Sequence, residues 1–157
     1  MAHLRVKKWT PVMCAVLALG AMRVVQAAGT VCKLAIGAND LMQYDKTELK
    51  ISRGCAQIEL TLTHTGKLPA QTMGHTWVLT KTADVAAVVN AGIAAGAAND
   101  YVAPGEKRVI ASTKIVGGGQ SAAVTFPASA LKAGEDYTFF CNFPGHAALM
   151  KGKFIVG

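Results

Sequence analysis

From Cys32 onward, apolar side chains recur at every second residue, a spacing that only half-buried strands can use. Cys32, Leu34 and Ile36 alternate with Lys33, Ala35 and Gly37; Leu49 and Ile51 flank Lys50; Ile58, Leu60 and Leu62 alternate with Glu59, Thr61 and Thr63. Trp77–Thr80, Arg108–Lys114, Ala122–Phe126, Tyr137–Cys141 and Lys151–Val156 complete a set of eight strands. Turn signals separate them at Arg53-Gly54, Thr65-Gly66, Gly134-Glu135 and Pro144-Gly145. Eight short strands at this spacing predict an all-β Greek-key barrel or sandwich. One stretch departs from period two. Thr82 to Ala95 is Ala-rich, with Val85, Val88, Val89 and Ile93 at helical spacing, Thr82 as an N-cap, Asp84 in the first turn and Gly96 beyond the far end. This predicts one external helix around residues 82–96. Gly117-Gly118-Gly119 lacks the strand-to-helix setting and the following Lys-Ser/Thr of a phosphate loop, and reads as a hairpin turn.

Residues 1–28 read as a secretory leader, leaving residues 29–157 as a single domain. Arg5, Lys7 and Lys8 precede an apolar run from Pro11 to Met22, and Val25-Gln26-Ala27 offers small residues for cleavage near 27–29. A run of that length is shorter than the ~20 residues needed to span a bilayer, so no membrane anchor is expected after processing. Cys14 is expected to leave with the leader.

The net charge of +7 comes mostly from that leader, which carries Arg5, Lys7, Lys8 and Arg23 and no acidic residue. Twelve basic and nine acidic residues remain, scattered and without aromatic interleaving, a pattern that argues against a nucleic-acid partner. Three cysteines remain as well: Cys32, Cys55 and Cys141. Export places them in an oxidising compartment, where two neighbouring thiols are expected to pair. A Cys32–Cys55 link would close 22 residues and add roughly 3 kcal/mol on a loop-entropy basis. It would also leave an odd thiol, Cys141, that needs another role.

The ten-residue segment that Cys141 opens suggests that role. Cys141-Asn142-Phe143-Pro144-Gly145-His146-Ala147-Ala148-Leu149-Met150 puts a thiol, an imidazole and a thioether on one loop between two strands. A thiolate, two imidazoles and a weak axial thioether form the donor set of a copper electron-transfer site. His75, in Met73-Gly74-His75-Thr76-Trp77, is the candidate for the second imidazole; His64 is the other histidine outside the leader. Singly, each residue has a plainer explanation: a buried cysteine packs as a small hydrophobe, a methionine fills a core, a histidine is a satisfied polar group. It is the Cys-x4-His-x3-Met spacing together with the unpaired thiol that favours a metal.

Met73-Gly74-His75, Asp100-Tyr101, Arg108-Val109-Ile110-Ala111 and Phe139-Phe140-Cys141 through Met150-Lys151-Gly152 resemble the azurins of the blue-copper cupredoxin family. Gly37–Tyr44 and Leu68-Pro69 match too, and the similarity runs from Cys32 to the C-terminus. The four residues between Cys141 and His146 distinguish this group from plastocyanins and pseudoazurins, which have two. The resemblance implies the fold already expected and a periplasmic protein shuttling single electrons through one copper ion, Cu(I)/Cu(II), not an enzyme. It implies His75, Cys141 and His146 as equatorial ligands, Met150 as a distant thioether, the Gly74 carbonyl as a weak ligand, and Cys32–Cys55 as the disulfide. Met42, Leu68, Met73, Phe143, Pro144, Ala148 and Leu149 match the family's apolar patch around the outer ligand histidine. Such a patch suits brief contacts by a monomer with c-type cytochromes, nitrite reductase or amine dehydrogenase.

Three other readings compete: a copper carrier or storage protein, a zinc site on the same ligands, and a Cys–His hydrolase with Cys141 as nucleophile. The hydrolase lacks an orienting Asp or Asn in the sequence around either histidine. His64 matches a histidine that azurins hold near copper without ligating it; a buried, hydrogen-bonded side chain and a redox-linked titration are both open to it. Trp77 reads as core. One departure stands out: azurins usually carry Asn after the first ligand His and Thr or Ser after the ligand Cys, whereas Thr76 and Asn142 occupy those places here. The pair reads as an exchange in which the Asn142 amide and Thr76 hydroxyl tie the two ligand loops together, with independent drift as the alternative.

Overall fold

The computed structural model describes residues 29–157; the leader with Cys14 and its cleavage site lies outside them. Nine strands run in order: β1 Thr30–Asn39, β2 Gln43–Tyr44, β3 Glu48–Ile51, β4 Cys55–His64, β5 Val78–Lys81, β6 Ala111–Ser112, β7 Ser121–Pro127, β8 Tyr137–Phe140 and β9 Lys151–Val156. They form two sheets, β2-β1-β4-β7 and β3-β9-β8-β5-β6, with β1–β4 and β3–β9 parallel and the other pairs antiparallel. The two-residue β2 adds the ninth strand to the eight expected, and the expected strand at 108–114 contracts to β6. Both short strands sit at sheet edges, where few ladder bonds hold them.

The alternation does what period two requires. In β4, Ile58, Leu60 and Leu62 are fully buried while the residues between them face outward. They meet Trp77, Phe126, Phe139 and Phe154, whose rings lie 6.2–6.3 Å from Trp77. Trp77 is core, as its sequence setting suggests, and truncating a ring in such a cluster costs about 3–5 kcal/mol.

The inserted helix forms, but starts later and packs differently. Thr82–Asp84 make a 3-10 turn, and the helix proper (α2) is Val85–Ala95. Thr82 is not the N-cap: its hydroxyl bonds Thr138 across the sheet at 2.8 Å. Gly96 ends the helix as expected, at φ 74°, a conformation that costs glycine nothing. Val88 and Gly92 are the buried positions, whereas Ile93 is exposed despite its spacing. Gly92 is buried because the Tyr101 carbonyl and the Asn142 amide press against it, so any Cβ there would collide with both.

The Gly117–Gly119 run is not a hairpin turn. It carries the chain from β6 in one sheet to β7 in the other, and its backbone docks under residues 64–70: Gly118 N–H donates to Leu68 O and Gly119 N–H to His64 O. A Cβ on Gly117 would lie 2.7 Å from Ala70 N. The missing side chains let two backbones touch beside the segment that leads, through the one-turn helix α1 (Ala70–Met73), to His75.

Candidate metal centre

Four segments converge at one end of the barrel. His75 follows α1 and is pinned by paired backbone bonds with Val116, at 3.0 and 2.9 Å. Cys141 directly follows β8, with its N–H on Met150 O at 2.9 Å. His146 begins a 3-10 turn after Gly145, which adopts φ 83°. Met150 closes the loop, its N–H donating to His146 O at 2.8 Å. The Pro144-Gly145 turn thus folds Cys141, His146 and Met150 back on themselves.

One donor atom each from His75, Cys141 and His146 lies within 4.8 Å of the others, and all three residues are buried. Cys141 Sγ is 3.8 Å from His75 Nδ1 and 3.6 Å from His146 Nδ1. A first-row divalent ion sits about 2.0–2.1 Å from nitrogen and about 2.3 Å from thiolate, which sets those atoms about 3.6–3.8 Å apart in tetrahedral to trigonal geometry. The spacing therefore fits one ion between them, and thiolate plus imidazole selects a soft or borderline metal such as copper. Met150 is buried beside the group, and Gly74 packs under Ile115.

The surroundings fix each donor. His75 Nε2 lies 2.9 Å from the Asn39 carbonyl, which holds the ring and leaves Nδ1 facing inward. Burial lowers the His75 pKa to about 4 and that of His146 below its usual value, so both stay neutral and keep a lone pair for metal. Burial pushes the Cys141 thiol up, opposed by N–H groups of Thr76 and Phe143; the Thr76 N–H lies 3.4 Å from the sulfur. A nucleophilic cysteine shows the reverse, an exposed thiol with a depressed pKa.

Thr76 and Asn142 do link the two ligand loops, but not by exchanging partners. The Asn142 backbone N–H donates to Thr76 Oγ1 at 2.9 Å. The Asn142 side chain turns away: its Nδ2 donates to Tyr101 O at 2.6 Å, and its Oδ1 is buried with no hydrogen-bond partner among the described residues. The expected amide–hydroxyl tie is absent because Gly92 leaves room for the amide beneath α2.

His64 is fully buried, 4.5 Å from His75 between ring centroids, with Nε2 3.0 Å from Asp40 Oδ1. The structure shows it as a buried, hydrogen-bonded side chain. Among the patch residues, Leu149 is 68% exposed, Leu68, Pro144 and Ala148 are exposed, and Met42, Met73 and Phe143 are half-buried. Sequence reasoning missed Asn39, whose backbone oxygen carries the His75 contact, and Leu41, 71% exposed in the same turn. Asn39-Asp40 carried a turn signal: Asn39 Oδ1 accepts the Leu41 and Gln43 N–H groups.

Residues 30–157 match the family described as copper binding proteins, plastocyanin/azurin family. The chain belongs to that family. It is 56% identical to the azurin of Bordetella pertussis over 121 residues, 77% of this chain and 81% of that one. It is 47% identical to the azurin of Pseudomonas chlororaphis over 125 residues, 80% of this chain and 98% of the other. The solved azurin iso-2 of Methylomonas sp. strain J superposes with a TM-score of 0.78 at 42% identity, covering 80% of this chain and 98% of that one. The present chain is thus a blue-copper electron-transfer protein that carries one copper ion and passes electrons to partner proteins.

Proposed function

We propose that His75, Cys141 and His146 are the strong copper ligands, that Met150 is the distant thioether, and that the Gly74 carbonyl is the weak ligand opposite. The observation that carries this is the three-donor cluster, with sulfur–nitrogen spacings that fit one ion. Copper held there supplies one-electron Cu(I)/Cu(II) chemistry. Asn39 and the Thr76 N–H hold the donors in place, so little rearranges when the charge changes. The buried core excludes water from the sulfur.

Electrons leave through His146 and the patch of Met42, Leu68, Met73, Phe143, Pro144, Ala148 and Leu149. Exposed apolar side chains that shed water quickly suit short encounters. The leader reading places the mature monomer in the periplasm, as residues 29–157 in one domain. Its partners there are redox proteins of the c-type cytochrome, nitrite reductase or amine dehydrogenase classes.

The test is Leu149→Asp. A charge at the contact centre must be desolvated without a partner, a cost of several kcal/mol if complete. Electron self-exchange should slow at least tenfold while the visible spectrum stays unchanged. Equal rates for the two proteins would move the exit elsewhere.

A further inference from the structure

The charges around the copper end are sorted by sign. All three carboxylates there are engaged by backbone N–H groups; Asp40 and Asp100 are half-buried, and Asp45 stays exposed beside Lys46. Asp40 accepts N–H groups from Lys67 and Leu68, at 2.8 and 3.2 Å, besides His64. Asp45 Oδ1 accepts Gly37 N–H at 2.8 Å, and Asp100 Oδ1 accepts Ile115 N–H at 2.9 Å. These acids brace loops. Lysines at the same end point the other way. Lys67 and Lys151 are exposed and form no ion pair among the described residues. Lys46 is exposed too and pairs with its sequence neighbour Asp45 at 3.1 Å. Lys46 and Lys151 share one shallow concavity of about 250 Å³ with Leu149, and Lys67 directly precedes Leu68. Lys114 borders Asp100 in a separate groove, and Glu48 lies farther down the wall in register with Lys153. The apolar patch, widened by Leu41, thus has a cationic rim.

We propose that this face takes a redox partner whose own exchange surface is apolar at its centre and carboxylate-rich at its rim, with Lys46, Lys67 and Lys151 meeting those carboxylates. The proposal rests on the reading that electrons leave through the patch. Exposed lysines add little affinity but accelerate encounter and orient it, an effect that salt screens over about 10 Å at 0.1 M. Elsewhere Lys33 pairs with Glu59, Lys81 with Glu135 and Arg108 with Glu106, while Lys50, Lys107, Lys132 and Lys153 form no ion pair among the described residues.

Two reactions of the copper-loaded protein test this with opposite salt dependences. In self-exchange one electron passes from a Cu(I) copy to a Cu(II) copy, and two cationic rims must meet, so added salt should accelerate it. In oxidation by hexacyanoferrate(III), the Cu(I) protein gives one electron to the trianion, forming hexacyanoferrate(II), and added salt should slow it. The triple variant Lys46→Gln/Lys67→Gln/Lys151→Gln should lose roughly tenfold in the anion reaction at low salt and flatten both dependences, within the range known for steered association. Lys107→Gln/Lys132→Gln, on a distant flank, should change neither. If the triple variant keeps both salt dependences while Leu149→Asp still slows exchange, the lysine rim is wrong and the patch stands. If Leu149→Asp has no effect, the patch reading fails first. A second readout needs no electron transfer: redox-inert, paramagnetic hexacyanochromate(III) added to the reduced protein should broaden amide signals around residues 46, 67 and 151. Broadening centred on residues 107 and 132 instead would overturn the proposal.

Discussion

At one end of the barrel Cys32 and Cys55 are joined sulfur to sulfur, with Cα atoms 5.6 Å apart. At the other, Cys141 faces two imidazoles, a hydroxyl and backbone N–H groups. Cys32 lies seven residues before Asn39 on β1, which at about 3.3 Å per residue is a separation of some 23 Å from the carbonyl that orients His75. That distance keeps Cys141 out of reach of the disulfide. The two ends also use their polar groups differently: at the disulfide end Arg53 Nε donates to the Gly157 carbonyl at 2.8 Å, whereas the metal end buries His75, Thr76, Asn142 and His146 and leaves Leu41, Leu68 and Leu149 outside. Stability and redox chemistry are thus assigned to different sulfurs, and each should be removable without the other.

The strongest break in that division is Cys141→Ser. A hydroxyl cannot supply the soft charge-transfer donor, so the intense visible band should vanish entirely. The thermal unfolding of the metal-free variant should stay near that of the metal-free wild type, because no strand or disulfide depends on this sulfur. Next comes the other end: Cys32→Ala/Cys55→Ala should lower stability by roughly 3 kcal/mol, read by denaturant unfolding, and leave the visible band unmoved. A shifted band would show that the two ends are coupled.

Much of this was legible in the sequence, for reasons that differ by element. Strands announce themselves when one face is buried, and Ile58, Leu60 and Leu62 do so without ambiguity. The edge strand β6 was expected over Arg108–Lys114 but its bounds were not legible, because burial there is set by the sheet it borders rather than by its own alternation. The candidate ligand loop stood out because Cys141, His146 and Met150 are close in sequence, with spacing set by one Pro-Gly turn. His75 had to be chosen from two histidines by resemblance. The surroundings of the donors were least legible: Asn39 acts through its backbone, and the direction of the Asn142 amide depends on the Gly92 gap under α2, which lies 50 residues away in the chain.

That last contact yields the finest comparison. Thr76→Val removes the acceptor of a buried N–H and should cost about 1–3 kcal/mol in the copper-loaded form. Asn142→Ala removes a different bond, to Tyr101 O, and leaves the backbone N–H that Thr76 holds. The two changes should therefore add to within about 0.5 kcal/mol in a double-mutant cycle on thermal stability. A larger coupling would restore a direct link between the side chains.

The most direct measurement of the central claim is a Cu(II) titration of the metal-free wild-type protein followed by visible absorption. One ion among His75, Cys141 and His146 predicts an intense thiolate-to-copper band that grows linearly and stops at one equivalent. A protein that binds copper and stays colourless, or whose band keeps growing past one equivalent, would contradict the single blue-copper centre.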